Sequence, residues 1–260
     1  MTVYTKSNKT SLQNLKDSST ADLVVALPNI GREGGTYLHH ILKHWENLPR
    51  YTLFTQAQLK KAQQLGSGPK AGTLDEWLVD RLSNQFVTEA VDGRATGFMS
   101  LDRKHDIGYC GHFTDLGNRD EFYPLWPQFF AMISGRPCAA GEPSVTSFNG
   151  HFIVSKTRIL QRPRRFYEYV ESLVNAGPHH WVHRERPMRF FAKRFGHSTP
   201  SNPLFGHTLE RLWHVIFGCA DTNQVEGCDV QEGRAEGSGG CHCMDDEAGT
   251  TGLDRQFSAK

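Results

Sequence analysis

Residues 22–59, DLVVALPNIGREGGTYLHHILKHWENLPRYTLFTQAQL, constrain the fold more than any other stretch. Asp22 to Leu27 is a short apolar run rich in β-branched residues, which suits a buried strand. Pro28, Asn29 and Gly31 break that run and mark a sharp turn. From Thr36 the period changes: Leu38, Ile41, Leu42 and Trp45 fall at i, i+3, i+4 and i+7 and make one helical face apolar. Pro49 cannot continue that helix, and Tyr51 to Thr55 reads as a second strand. Strand, turn, helix and strand in this order predict a βαβ crossover with a parallel pair.

Such a unit places Asn29, Arg32 and Glu33 at the C-terminal end of the first strand, where open α/β sheets bind ligands. Arg32 carries a planar fork suited to bidentate contact with an anionic group such as a diphosphate. Gly31 and the backbone N–H groups of the helix start would assist. Glu33 suits a base or a ligand for sugar hydroxyls, and the plain alternative is that Arg32 and Glu33 only fix the turn. No Gly-x-x-x-x-Gly-Lys-Ser/Thr or Gly-x-Gly-x-x-Gly motif is present. Of His39 and His40, one is expected at the surface and the other near the sheet end. Gln56 follows the second strand and is placed to hydrogen-bond a substrate. Glu210 and His214 sit one helical turn apart, the spacing of an acid/base dyad or of a plain structural pair.

PNIGREGGTYLHHILKHWENLP, FNGHFIVSKTRILQRPRRFYEYV and LERLWHVIFG follow one another in this order. Together they resemble an uncharacterised eukaryotic, fungal-type family, the domain of unknown function 3431, over residues 22–60 and 148–218. The block order is distantly similar to glycosyltransferases of the nucleotide-sugar-binding type. That similarity implies a glycosyltransferase A-like fold, a nucleotide-sugar donor and a glycan or small-molecule acceptor. It also raises a divalent cation, which hard oxygen ligands would hold. The chain has no Asp-x-Asp; Asp102 and Asp106 are spaced more widely, and Asp75-Glu76 lies in an expected helix. Members of the family begin with a further strand ahead of the segment equivalent to Thr2–Lys6, so the resemblance implies a truncated or degenerate member. The leading expectation is sugar transfer, with Glu33, Glu210 and His214 as catalytic candidates and Asn29, Gly31, Arg32, His39 and Gln56 as substrate-binding ones. The alternative is a non-catalytic binding module of the same fold that has lost donor chemistry.

Charge is unevenly spread although the net formal charge is only +1. Residues 156–194 hold ten Lys/Arg against three Asp/Glu, while residues 219–260 hold nine acids against three bases. A nucleic-acid role for the basic stretch ranks last, because its Phe and Tyr positions read as helix core and not as a stacking platform. No apolar leader is visible in the first twenty residues and no stretch approaches the length of a membrane span. Cytoplasmic location and free thiols are then the default for Cys110, Cys138, Cys219, Cys228, Cys241 and Cys243. Cys241-His242-Cys243, with Cys228, invites a metal reading, but one intervening residue is fewer than zinc sites use.

The remaining pattern predicts a possible strand at 2–5, a polar loop to 21, helices at 59–65 and 73–82, and an irregular stretch at 102–147. Within that stretch, residues 123–130 suit a short aromatic-anchored helix. Strands at 98–101 and 148–154 precede a helix capped by Ser155. A further helix opens at Pro163 with Phe166, Val170, Leu173 and Val174 as its apolar stripe. Residues 178–206 read as a long surface loop. The closing helix, 207–217, buries Leu209, Leu212, Trp213, Ile216 and Phe217 before Gly218. The expected architecture is α/β: a central, mostly parallel sheet with flanking helices in one domain, 1–220. An acidic, Gly-rich disordered tail, 221–260, would follow.

Overall fold

The computed structural model describes residues 1–9, 11–56, 82–83, 86–89, 93–101, 105–109 (backbone only), 126–139, 141–147, 150–183, 196–221 and 242–245. The elements in chain order are β1 (Thr2–Thr5), α1 (Leu12–Asp17), β2 (Leu23–Ala26), α2 (Arg32–Lys43), β3 (Tyr51–Phe54), β4 (Ala95–Ser100) and β5 (His105–Tyr109). There follow α3 (Trp126–Ser134), β6 (Pro143–Ser147), β7 (Phe152–Ser155), α4 (Lys156–Leu160), α5 (Arg164–Val174), α6 (Phe205–Ile216) and β8 (His242–Asp245). Chain contacts divide the molecule into two compact units: Met1–His44 with Arg164–His207, and Trp45–Pro163 with Thr208–Lys260.

In the first unit β1 and β2 run parallel, Thr2 opposite Leu23 and Thr5 opposite Ala26. Helix α1 lies in the crossover, its first turn capped by the Ser11 hydroxyl, which accepts from the Asn14 N–H. The parallel pair is therefore β1–β2. The expected pairing of 22–27 with 51–55 is corrected, since β3 belongs to the other unit. Helix α2 starts at Arg32, four residues before the apolar period begins, and carries Gly34 and Gly35 inside its first turn. Gly35 is needed for close packing: a Cβ there would lie 2.4 Å from Asn175 Oδ1, beyond the end of α5. Leu38, Ile41 and Tyr37 of α2 are buried, as are Phe166, Tyr167, Val170, Leu173 and Val174 of α5, and the two helices pack together.

The second unit is built on a four-stranded sheet in the order β3-β7-β4-β8. Every neighbouring pair in it is antiparallel, which corrects the expected mostly parallel sheet. The physical sign is in β3: Thr52 and Phe54 are buried while Leu53 is 45% exposed, the one-sided pattern of an antiparallel edge and not of a strand covered on both faces. Phe98, Phe152, Trp213 and Phe217 form the aromatic centre of the core, with Trp213 and Phe217 stacked at 5.7 Å. Strands β5 and β6 pair antiparallel, so 105–109 and 143–147 are ordered where the pattern had predicted irregular chain. The expected helix at 59–65 and the expected helix at 73–82 up to its last residue, like Asp102, Cys110, His112 and Asp115, lie outside the described residues.

Strand β8 corrects the tail reading for its four residues. It forms the edge of the sheet against β4, and Cys243 is joined to Cys219 by a disulfide. Cys138 is disulfide-bonded as well, and none of the described cysteines is free, so the free-thiol default is overturned for Cys138, Cys219 and Cys243; Cys110, Cys228 and Cys241 lie outside the described residues. The metal reading of Cys241-His242-Cys243 is corrected with it, because the Cys243 sulfur is held in a covalent bond to Cys219. The rest of 222–260 lies outside the described residues.

Candidate functional site

The turn after β2 is where the first unit gathers polar groups at the C-terminal ends of its parallel strands. The ladder extends past the strands, the Leu27 N–H donating to the Thr5 carbonyl at 2.8 Å. The chain then reverses through Gly31 at φ 70° and Arg32 at φ 48°. Glycine takes that left-handed conformation freely, whereas an L-residue with a Cβ is strained by it. Arg32 is the one non-glycine residue with positive φ among the described residues.

Four hydrogen bonds hold this turn. The Lys6 ammonium, one residue past β1, donates to the carbonyls of both Ile30 and Arg32. The Thr36 hydroxyl donates to the same Arg32 carbonyl at 3.3 Å, and the Gly31 N–H donates to the Pro200 carbonyl at 2.8 Å. Burial pushes the Lys6 ammonium down to about 8, with the Glu33 carboxylate acting against that shift. Arg32 Nε lies 3.5 Å from Glu33 Oε2, a loose pair, and the Arg32 side chain is 36% exposed. A Cβ on Gly206 would approach Arg32 Cδ to 3.9 Å, so the stem of Arg32 runs past bare backbone. Asn29 is exposed on the same turn.

His39 and His40 are both partly buried and face different neighbours, so neither takes the surface position expected for one of them. His40 Nδ1 shares a hydrogen bond of 2.9 Å with the Tyr4 hydroxyl of β1, and its ring is tilted against His44 at 4.5 Å. Burial, and then the charges of His44 and His39, hold His40 down to about 4. His39 faces α5, its Nδ1 4.0 Å from Glu171 Oε1.

Gln56, Glu210 and His214 belong to the second unit, whereas Asn29, Gly31, Arg32, Glu33 and His39 belong to the first. His214 is fully buried, its Nδ1 3.0 Å from the Cys219 carbonyl and its ring edge-on to Phe98 at 4.9 Å. The flank position expected for a Glu210–His214 dyad is thereby corrected: burial lowers His214 to about 4 and makes it a neutral core residue. Glu210 lies instead 3.6 Å from Arg211 Nη1. Gln56 donates its backbone N–H to His151 Nδ1 at 3.4 Å, and the Thr55 hydroxyl meets the same nitrogen at 2.9 Å. His151 is 2% exposed and lowered by burial to about 4, the Glu210 charge opposing that shift.

Two residues at these clusters escape sequence reasoning. Lys6 becomes visible only once β1 is known to lie beside β2, since nothing in a polar N-terminal stretch marks one lysine. His151 is marked only by the antiparallel register that sets Phe54 opposite Phe152. Among the described residues no group of three or more His, Cys, Asp or Glu is placed to share a metal ion. What the turn offers chemically is a partly exposed arginine side chain, an ammonium and one carboxylate, on a backbone held out of its relaxed conformation.

Residues 3–233 match the profile of a family described as Protein of unknown function (DUF3431). No curated protein and no solved structure matches the chain.

Proposed function

Within that family of proteins of unknown function, to which the chain belongs, we propose that the turn at Asn29–Glu33 binds the diphosphate of a nucleotide-sugar. On this reading the protein is glycosyltransferase-like and passes the sugar to a glycan or small-molecule acceptor. The observation that carries the proposal is Arg32: left-handed, 36% exposed, and at the C-terminal edge of a parallel strand pair. Strained backbone persists only where its surroundings over-determine it, and such residues cluster at ligand clamps. A guanidinium buried against its own carboxylates would argue for a purely structural role; the Arg32 side chain is 36% exposed and its Nε lies 3.5 Å from Glu33 Oε2. Lys6 adds positive charge at the same turn. Glu33 is the carboxylate in reach of a bound sugar's hydroxyls. The oxygen-rich ligand set that a divalent cation wants is not assembled among the described residues, so no step is assigned to one.

Binding is tested by thermal unfolding against a panel of nucleoside-diphosphate sugars. A ligand at 100 times its dissociation constant should stabilise the protein by about 2.7 kcal/mol. Arg32→Lys should weaken binding by roughly 10- to 100-fold, since the ammonium keeps the charge and loses the fork; that span matches a charge-assisted hydrogen bond of about 1.5–3 kcal/mol. No shift with any donor, or equal binding by Arg32→Lys, would remove the proposal. A second reading, a binding module without catalysis, is favoured by one observation: His214, a catalytic candidate, is fully buried in the core of its own unit and lowered by that burial to about 4. Donor binding without release of nucleoside diphosphate in the presence of acceptors would select it.

A further inference from the structure

We infer that β8 is a disulfide-tethered latch that completes the second unit's sheet, and that the chain matures in an oxidising compartment. The reasoning starts from how little apolar surface β8 offers. It is four residues, His-Cys-Met-Asp, of which only Cys243 and Asp245 are buried. The chain between Ala220 and His242 is rich in glycine and acids. What holds β8 on β4 is specific chemistry at both of its buried positions.

Cys243 is 2% exposed and bonded to Cys219, itself 0% exposed and placed just past the end of α6. Asp245 accepts from Arg158 Nε at 2.7 Å and from the Ser155 hydroxyl at 2.6 Å. Arg158 spends its other N–H groups on the carbonyls of Phe217, Gly218 and Met244, so one buried guanidinium joins α4, the end of α6 and β8. Gly97 of β4 is shaped to this junction: a Cβ there would fall 2.0 Å from Asp245 Oδ1 and 2.4 Å from Arg158 Nε. Without β8, Arg158 keeps its carbonyl partners Phe217 and Gly218 just past α6 but loses its counter-ion Asp245.

The cross-link ties this junction to a redox state. Cytosolic glutathione and thioredoxin keep protein thiols reduced, whereas the lumen of the secretory route and the cell exterior let disulfides persist. Cys138 is also disulfide-bonded, so every described cysteine is oxidised. Formation needs a disulfide donor, such as an oxidised dithiol oxidoreductase. One thiolate of the pair attacks the donor disulfide, and the second then attacks the mixed disulfide. The donor leaves as a dithiol carrying two electrons, and the two thiol protons pass to it or to solvent.

The full chain should be isolated from its own cells under acid quench, trapped with N-ethylmaleimide and mapped by peptide mass. The expected species joins the Cys219 and Cys243 peptides, and N-ethylmaleimide on both cysteines would overturn the compartment assignment. On the purified oxidised chain, dithiothreitol should speed amide exchange at His242–Asp245 by at least tenfold. Unchanged protection of those amides after confirmed reduction would overturn the latch, and neither readout depends on a variant that must fold.

Discussion

Arg32 sets a backbone cost against a side-chain gain. At φ 48° any residue with a Cβ is strained by roughly 1–2 kcal/mol relative to glycine. Arg32→Gly should therefore be about 1 kcal/mol more stable than Arg32→Ala in chemical denaturation. Equal stabilities would mean that the turn relaxes once the guanidinium is gone. The buried histidines make a second prediction at this scale. His151 and His214 are held near 4 by burial, below the ordinary value of 6.5, so the unfolded chain binds more protons between those limits. Stability from both is fully present above about pH 6.5 and is lost as the pH falls toward 4. The slope is up to about 1.4 kcal/mol per pH unit for each buried histidine. Urea unfolding at pH 7.5 and 5.0 checks this, and His151→Gln should flatten the dependence. The Arg32 site is half legible in the sequence: Pro28, Asn29 and Gly31 announce a turn with an arginine on it, but its pin, Lys6, lies just past the end of β1, 24 residues before Ile30.

Among the elements, the helices that bury a 3.6-residue stripe are the ones the sequence declares. Phe166, Val170, Leu173 and Val174 of α5 are buried as their spacing predicts, and so are Leu209, Leu212, Trp213 and Ile216 of α6. Trp213 packs on Phe152 at 5.2 Å and on Phe217 at 5.7 Å, so Trp213→Ala should cost roughly 3–5 kcal/mol in urea unfolding. A loss under 1 kcal/mol would contradict its place at the core's centre. Strand partners are a different matter. The residues of β2 and β3 specify strands, but pairing depends on which other strand lies alongside, and period-2 patterns carry no address. The start of α2 was hidden for a related reason: Gly34 and Gly35 are poor helix formers in isolation, and close approach of Asn175 explains them only in the folded unit.

For the whole molecule, composition over 221–260 misjudged four residues because what orders them is non-local. Removing residues 221–260 should lower the unfolding free energy by several kcal/mol. The cross-link contributes about 3 kcal/mol of that for a loop of this length. An unchanged unfolding midpoint would return His242–Asp245 to the tail. Asp245→Ala, which keeps the disulfide but leaves Arg158 without its carboxylate, should cost roughly 3–5 kcal/mol by the same measurement. The junction also predicts how relatives of this chain diverge. Gly97, Arg158, Cys219, Cys243 and Asp245 are spread over some 150 positions of chain, yet they meet at one junction and their substitutions should couple. They should be inherited as one character: a lineage that has lost either cysteine should have drifted at its partner, then at Asp245 and Arg158, and should be the one in which position 97 admits a side chain.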